Sequence, residues 1–255
     1  MSGFDPSRRR LLLGAGGLLV AGATGCDAYL RWRMTGNDNS GFSPVSYSFE
    51  DTDRCLLTAE AIEGPYFIPR AEMRRDIREG KPGVPLSLRL RVVDASGCAP
   101  VTGALVEVWH CDALGVYSGY TDASPDELPT APPWTWPLEP RDATRFLRGF
   151  QTTDADGRVD FDTVFPGWYS PRVQHIHVKV FTGEEDALTA QLYFSDEVIA
   201  AVDPMEPYLQ RGASPYTNRN DGVIHDSQGA DGGWLRMSGD TATGLAGSVT
   251  LGLPA

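Results

Sequence analysis

Apolar residues in this chain fall in short runs that alternate with polar ones and are cut by glycine and proline. No long stretch repeats with the 3.6-residue period of an amphipathic helix, so the pattern predicts mainly β structure. Two runs, Leu86 to Asp94 and Ala104 to His110, read as strands separated by a turn-prone Asp-Ala-Ser-Gly. A further strand is predicted over 174 to 181 from Val173, Ile176, Val178, Val180 and Phe181. One short helix is predicted over Asp196 to Val202, with Ser195 as its cap, Asp196 and Glu197 in its first turn and Pro204 as its stop. From Thr121 to Thr144 the chain is rich in proline, which excludes a central strand or helix and predicts an ordered lid or a surface insertion. Trp134 and Trp136 within it either wall a pocket or staple the loop to the flank of the domain.

The predicted strand at 174 to 181 carries the candidate chemistry. His175 and His177 stand two apart, so a strand points both imidazoles to one face, where they can grip a single metal ion. Tyr169 and Arg172 lie on the approach to that strand. Two ligands fall short of the three or four that a biological site needs, and the same pattern also fits two histidines on a solvated face. A copper or zinc hydrolase would need a further histidine or carboxylate. The acids nearest in sequence, Glu184, Glu185 and Asp186, read as a solvated hairpin end, while His110 and His225 read as structural.

The missing ligands are supplied by a wider pattern. GALVEVW and then GVY, followed by FLRGFQTTDADGRVDFDTVFPGWYSPRVQHIHVKVF and TAQLYF, resembles the intradiol ring-cleavage dioxygenases, from about Cys55 to about Asp226. The form of the chain looks closest to secreted short members of that family. The resemblance implies an all-β fold, the β-sandwich of the intradiol catalytic core with long loops and few short helices. It implies ferric iron, Fe(3+), held by Tyr117, Tyr169, His175 and His177, a donor set whose anionic oxygens suit the higher charge. It also implies a small aromatic diol and O2 as substrates, with the ring opened between its hydroxyls to a cis,cis-muconate. Tyr169 would be the ligand displaced to act as a base. Arg172 would stabilise negative charge on the ring, Gln191 would orient the same intermediate, and Tyr66 and Trp109 would line the pocket. The segments DASGCAPVTGALVEV and TDADGRVDFDTVFPGWY also resemble transthyretin-like and adhesin β-sandwich modules, which bind and catalyse nothing. Such a module has no reason to hold the four ligands together with Arg172 and Gln191.

The N-terminus reads as an export signal rather than as fold. Ser7-Arg8-Arg9-Arg10 before Leu11-Leu12-Leu13 matches a twin-arginine pattern, and the apolar stretch to Gly25 is shorter than the ~20 residues that cross a bilayer. Ala23-Thr24-Gly25-Cys26 looks like a lipobox, with Cys26 lipidated as the membrane attachment expected of a cell-envelope lipoprotein; an ordinary signal peptide cut nearby, giving a secreted or periplasmic protein, or an uncleaved anchor also fits the stretch. Residues 1–25 are then the signal, 26–50 a polar tether and 51–255 the catalytic domain, long enough for a substantial core. Cleavage removes three arginines and one aspartate, which moves the formal net charge from -12 to about -14. So acidic a surface makes nucleic acid an unsuitable partner. Of Cys55, Cys98 and Cys111, the pair Cys98 and Cys111 is the expected disulfide, since the two flank a single strand, and a bridge from Cys55 to either of them stays open.

Overall fold

The computed structural model describes residues 56–69, 71–127 and 129–254. The export signal, Cys26, the tether and Cys55 lie outside the described residues.

Eight strands form two four-stranded sheets. One sheet runs β4 (Arg158–Val164), β1 (Pro85–Asp94), β8 (Gly244–Leu253), β7 (Arg236–Asp240); the other runs β3 (Arg148–Thr152), β2 (Leu105–Trp109), β5 (His175–Thr182), β6 (Glu185–Tyr193). All neighbours are antiparallel except β1 and β8, which run parallel with Leu86 opposite Leu245 and Asp94 opposite Leu253. The result is the expected all-β sandwich.

Side-chain alternation explains why the sheets stack. On β1, Leu86, Leu88, Leu90 and Val92 are buried while Ser87 and Arg89 face water, where Arg89 Nε meets Asp160 Oδ1 at 2.7 Å. Val106 and Val108 of β2, Ile176, Val178 and Val180 of β5, and Leu188, Ala190 and Leu192 of β6 close on them from the other sheet in one apolar cluster. The predicted strands appear within a residue or so of their expected ends. The helix α1 spans Asp196–Val202 as predicted, with Ser195 Oγ accepting from Val198 N at 3.5 Å. A second short helix, α2, spans Gly222–Asp226. Among the described residues no helix is long and apolar enough to cross a membrane.

The second sheet differs from the first in that its outer face is also covered. The segment from Ala61 to Phe67 lies across it, with Ala61 N donating to Thr189 O at 2.9 Å and Lys179 Nζ paired with Glu63. Strand β5 is consequently buried on both faces from His175 to Val180.

One expectation is overturned. Cys111 is a free, buried thiol whose Sγ lies 3.3 Å from Gly167 O, whereas Cys98 is disulfide-bonded to a cysteine other than Cys111, so the Cys98–Cys111 bridge is not made. Cys98 sits at the exposed turn after β1, while Cys111 follows β2 and turns inward among Tyr66, Tyr117 and Tyr169. Flanking one strand places two residues at opposite ends of it, and Cα atoms more than about 7 Å apart cannot be bridged.

The division between covered and open faces sets mutational costs. Phe161→Ala, at a fully buried β4 position, is expected to lower unfolding free energy by about 3–5 kcal/mol, and Arg89→Ala, an exposed pair on β1, by less than about 0.5 kcal/mol. Urea unfolding of the two variants checks this, and equal costs would contradict it.

Candidate metal centre

Strand register brings the candidate residues together. Trp109 on β2 lies opposite Arg148 on β3 and opposite His177 on β5, and His177 lies opposite Gln191 on β6. Directly opposed residues share a face, so these four form one row across the covered side of the sheet. His175, two residues before His177, joins the same face opposite Tyr193.

The two tyrosines arrive on loops that their own neighbours fix. Asp112 Oδ1 accepts from Leu114 N and from Val116 N, both at 3.0 Å, which winds the turn leading to Tyr117. Arg148 then holds the next residue, donating from Nε to Ser118 Oγ at 2.8 Å and from Nη2 to Ser118 O at 2.9 Å. Tyr169 is set by the bond from Gly167 N to Asp112 O at 3.0 Å and by that from Arg172 N to its own carbonyl at 2.6 Å. Gly64, at φ +82°, passes close over the histidines: a Cβ there would stand 3.3 Å from His177 Cε1.

The donors converge. His175 Nδ1 lies 2.6 Å from Val173 O, which makes Nδ1 the protonated nitrogen and leaves the Nε2 lone pair pointing into the site. That Nε2 is 3.2 Å from His177 Nε2 and 3.3 Å from Tyr169 Oη. Tyr117 stands edge-on to Tyr169 and His177, with ring centroids 5.6 and 6.2 Å apart, and its Oη is buried without a hydrogen-bond partner. Ring stacking holds the set in place, Trp109 on His177 at 4.8 Å and Tyr66 on Tyr117 at 4.7 Å.

Burial keeps all four donors neutral while no cation is bound. Burial, and then the charge of Arg172, hold both imidazoles far below their ordinary pKa, so they are neutral as metal ligands must be. Burial first, and for Tyr117 the neighbouring Tyr169 phenol, push both phenols above their usual range. A multivalent cation at this point would reverse that shift and satisfy Tyr117 Oη. Two ligands each about 2.1 Å from one metal and subtending about 100° stand about 3.2 Å apart, the separation seen between the imidazole nitrogens. Two phenolic oxygens with two imidazoles fit ferric iron.

Arg172 lies beside this set within a network that the sequence did not reveal. Its Nε donates to Asp221 Oδ2 at 2.8 Å and its Nη2 to Gln191 Oε1 at 2.6 Å, while Nη1 is 3.4 Å from His175 Nε2. Burial opposes its charge, but Asp221, with Tyr193 and Tyr169, more than offsets this and raises the guanidinium pKa above its ordinary value. Gln191 is itself held, its Nε2 donating to Ile62 O at 2.8 Å while its Oε1 accepts from Tyr193 Oη at 2.9 Å. Asp221 caps α2 with its other oxygen, accepting from Val223 N at 2.9 Å and from Ile224 N at 3.2 Å. The Asp-Gly-Val-Ile run was the only sequence signal for it, an N-cap ahead of apolar residues.

A cavity of about 550 Å³, its open mouth included, rises over the site between Tyr66, Tyr169, Arg172 and His177. The proline-rich loop supplies part of its wall. Trp136 lines it, whereas Trp134 is 71% exposed and fills neither of the roles that the sequence left open. Trp109 lies behind His177 rather than in the cavity wall. His110 is structural, its ring nitrogens bonded to Cys111 O and Thr163 Oγ1 at 2.7 Å each.

Residues 62–228 match the profile of the Dioxygenase family, Dioxygenase_C. The chain belongs to the intradiol ring-cleavage dioxygenase family. It is similar in structure to an intradiol ring-cleavage dioxygenase from Tetranychus urticae, with TM-score 0.71 and 31% identity over 78% of this chain and 95% of that one. In sequence it is 27% identical over 165 residues to a chlorocatechol 1,2-dioxygenase of Rhodococcus opacus, covering 55% of this chain and 57% of the relative. It is 35% identical over 138 residues to the protocatechuate 3,4-dioxygenase beta chain of Burkholderia cepacia, covering 49% and 52%. The chain thus spans about half the length of these two curated relatives. Membership of an intradiol dioxygenase family does not favour the adhesin-like alternative.

The buried Arg172–Asp221 pair carries a stability prediction. Asp221→Asn leaves the guanidinium charge uncompensated and is expected to cost about 3–5 kcal/mol. Thermal and urea unfolding measure it, and a loss below about 1 kcal/mol would show the pair to be dispensable.

Proposed function

We propose that this chain is a non-haem iron(III) dioxygenase that cleaves a catechol-type ring between its two hydroxyls with O2, giving a cis,cis-muconate-type product. The observation that carries the reading is the convergence of Tyr117, Tyr169, His175 and His177, with Tyr169 and His177 lining a cavity that Arg172 also lines. On this reading those four side chains hold the metal. When bound, ferric iron supplies a Lewis acid that lowers the phenols' pKa and draws electron density from the catecholate, making the ring reactive toward O2.

The chain's own residues supply the rest. Tyr169 lines the cavity beside His175, where its phenolate takes a hydroxyl proton from the entering substrate. Arg172, kept charged and fixed by Asp221 and Gln191, places a permanent positive group next to the ring as negative charge develops on it. Gln191 is tied both to Arg172 and to Ile62 O, so it sets the guanidinium plane. Tyr66, Pro65 and Val223 enclose the ring and exclude water.

The test is oxygen uptake by the iron-loaded protein on catechol, with the product identified. Intradiol cleavage is expected, and extradiol products or no uptake would reject the reading. Arg172→Lys is expected to keep iron and its tyrosinate colour while turnover falls roughly 10 to 1,000-fold, because lysine retains the charge but not the planar fork. Iron loss in step with activity would refute a role at the ring. His177→Ala is expected to lose iron as well as activity, read as metal stoichiometry.

Export by the twin-arginine route with a lipid on Cys26 belongs to the same proposal, supported by the Arg8-Arg9-Arg10 and Ala23-Thr24-Gly25-Cys26 patterns. Cys26→Ser is expected to move the protein from the membrane to the soluble envelope fraction. An unchanged distribution would reject the anchor.

A further inference from the structure

The charged groups on the cavity wall bear on which catechols enter. Much of the wall is apolar, from Ile62, Pro65, Pro129, Trp136 and Val223, and the two residues on it that carry formal charge are Arg172 and Glu127. Arg172 is paired with Asp221 at 2.8 Å and, on the reading above, is committed to charge that develops on the ring itself rather than to a ring substituent. Glu127 is exposed and has no ion-pair partner among the described residues. Its neighbour Asp126 differs, being held by Arg211 at 3.0 Å.

We propose that Glu127 selects substrates by the charge on the ring substituent, admitting neutral and ammonium-bearing catechols and rejecting carboxylate-bearing ones. The inference rests on the dioxygenase reading above. A carboxylate entering past Glu127 meets a like charge, with no unpaired cation on the described wall to offset it. An ammonium group meets an opposite charge and also the Trp136 ring, a face that attracts cations. The chain's formal net charge of -12 acts in the same direction, drawing cations and repelling anions at longer range.

Three catechols of matched size separate the possibilities: propylcatechol, aminoethylcatechol and dihydroxyphenylpropionate, each substituted para to a hydroxyl. Iron-loaded protein near neutral pH and at low salt is measured in two ways, kcat/KM by oxygen uptake and anaerobic affinity from the change in visible absorption on binding. Wild type is expected to rank the ammonium and neutral compounds above the carboxylate in both. Glu127→Gln is expected to narrow the ammonium-to-carboxylate ratio roughly threefold, and Glu127→Lys to invert it, with added salt compressing every ratio. Cleavage of propylcatechol with ratios unchanged in both variants, or a wild type that prefers the carboxylate, overturns the role of Glu127. Failure to bind or cleave even propylcatechol overturns the dioxygenase reading, and this inference with it.

Discussion

The covered face of the β3-β2-β5-β6 sheet imposes the constraint on which the rest of the site depends: polar side chains buried there must find partners without bulk water. A row of Arg148, Trp109, His177 and Gln191 crosses that face, with Glu107 and Lys179 one step along it. Most of these groups are answered locally, although Trp109 Nε1, Arg148 Nη1 and His177 Nδ1 have no hydrogen-bond partner among the described residues. Lys179 pairs with Glu63 and, at 2.9 Å, with Asp186, while Arg148 grips the Ser118 backbone. Glu107 shows the cost of the location, since burial, opposed by a backbone bond from Ala71 and by Arg148 and Lys179, pushes its carboxyl up to about 7.

The same constraint positions the candidate metal centre. Tyr117 and Tyr169 come from irregular loops, yet both loops are tied to the sheet by bonds to Asp112, Ser118 and Arg148. Aromatic stacking then leaves the rings little freedom. Such an arrangement holds the four candidate donors near one another in advance, so that a cation would need little further ordering of them. Asp221 extends this order outward. One oxygen holds Arg172 and the Val173 amide and the other starts α2, whose Val223 lines the cavity, so a single carboxylate sets the arginine and part of the wall together.

The first sheet obeys a simpler rule, with one face in the core and the other in water. Its exposed pairs, such as Arg89 with Asp160, add little, and the parallel β1–β8 pairing is held mainly by the apolar face beneath it. The sandwich is therefore asymmetric, one sheet serving as support and the other carrying the candidate site on its outer side.

Local pattern alone determined the strands around Leu86 and His175, the helix at Asp196, and the shared face of His175 and His177, because strand period and capping are properties of neighbouring residues. Joining Tyr117 and Tyr169 to those histidines needed a resemblance spanning most of the chain, since phenols on separate loops leave no periodic trace. Only the tertiary structure decided that Asp221 lies against Arg172, 49 residues away, that Trp136 and not Trp134 walls the cavity, and that Cys111 stays a free thiol. These outcomes follow from which loops the two sheets bring into contact, and side-chain spacing within any one segment carries no information about that.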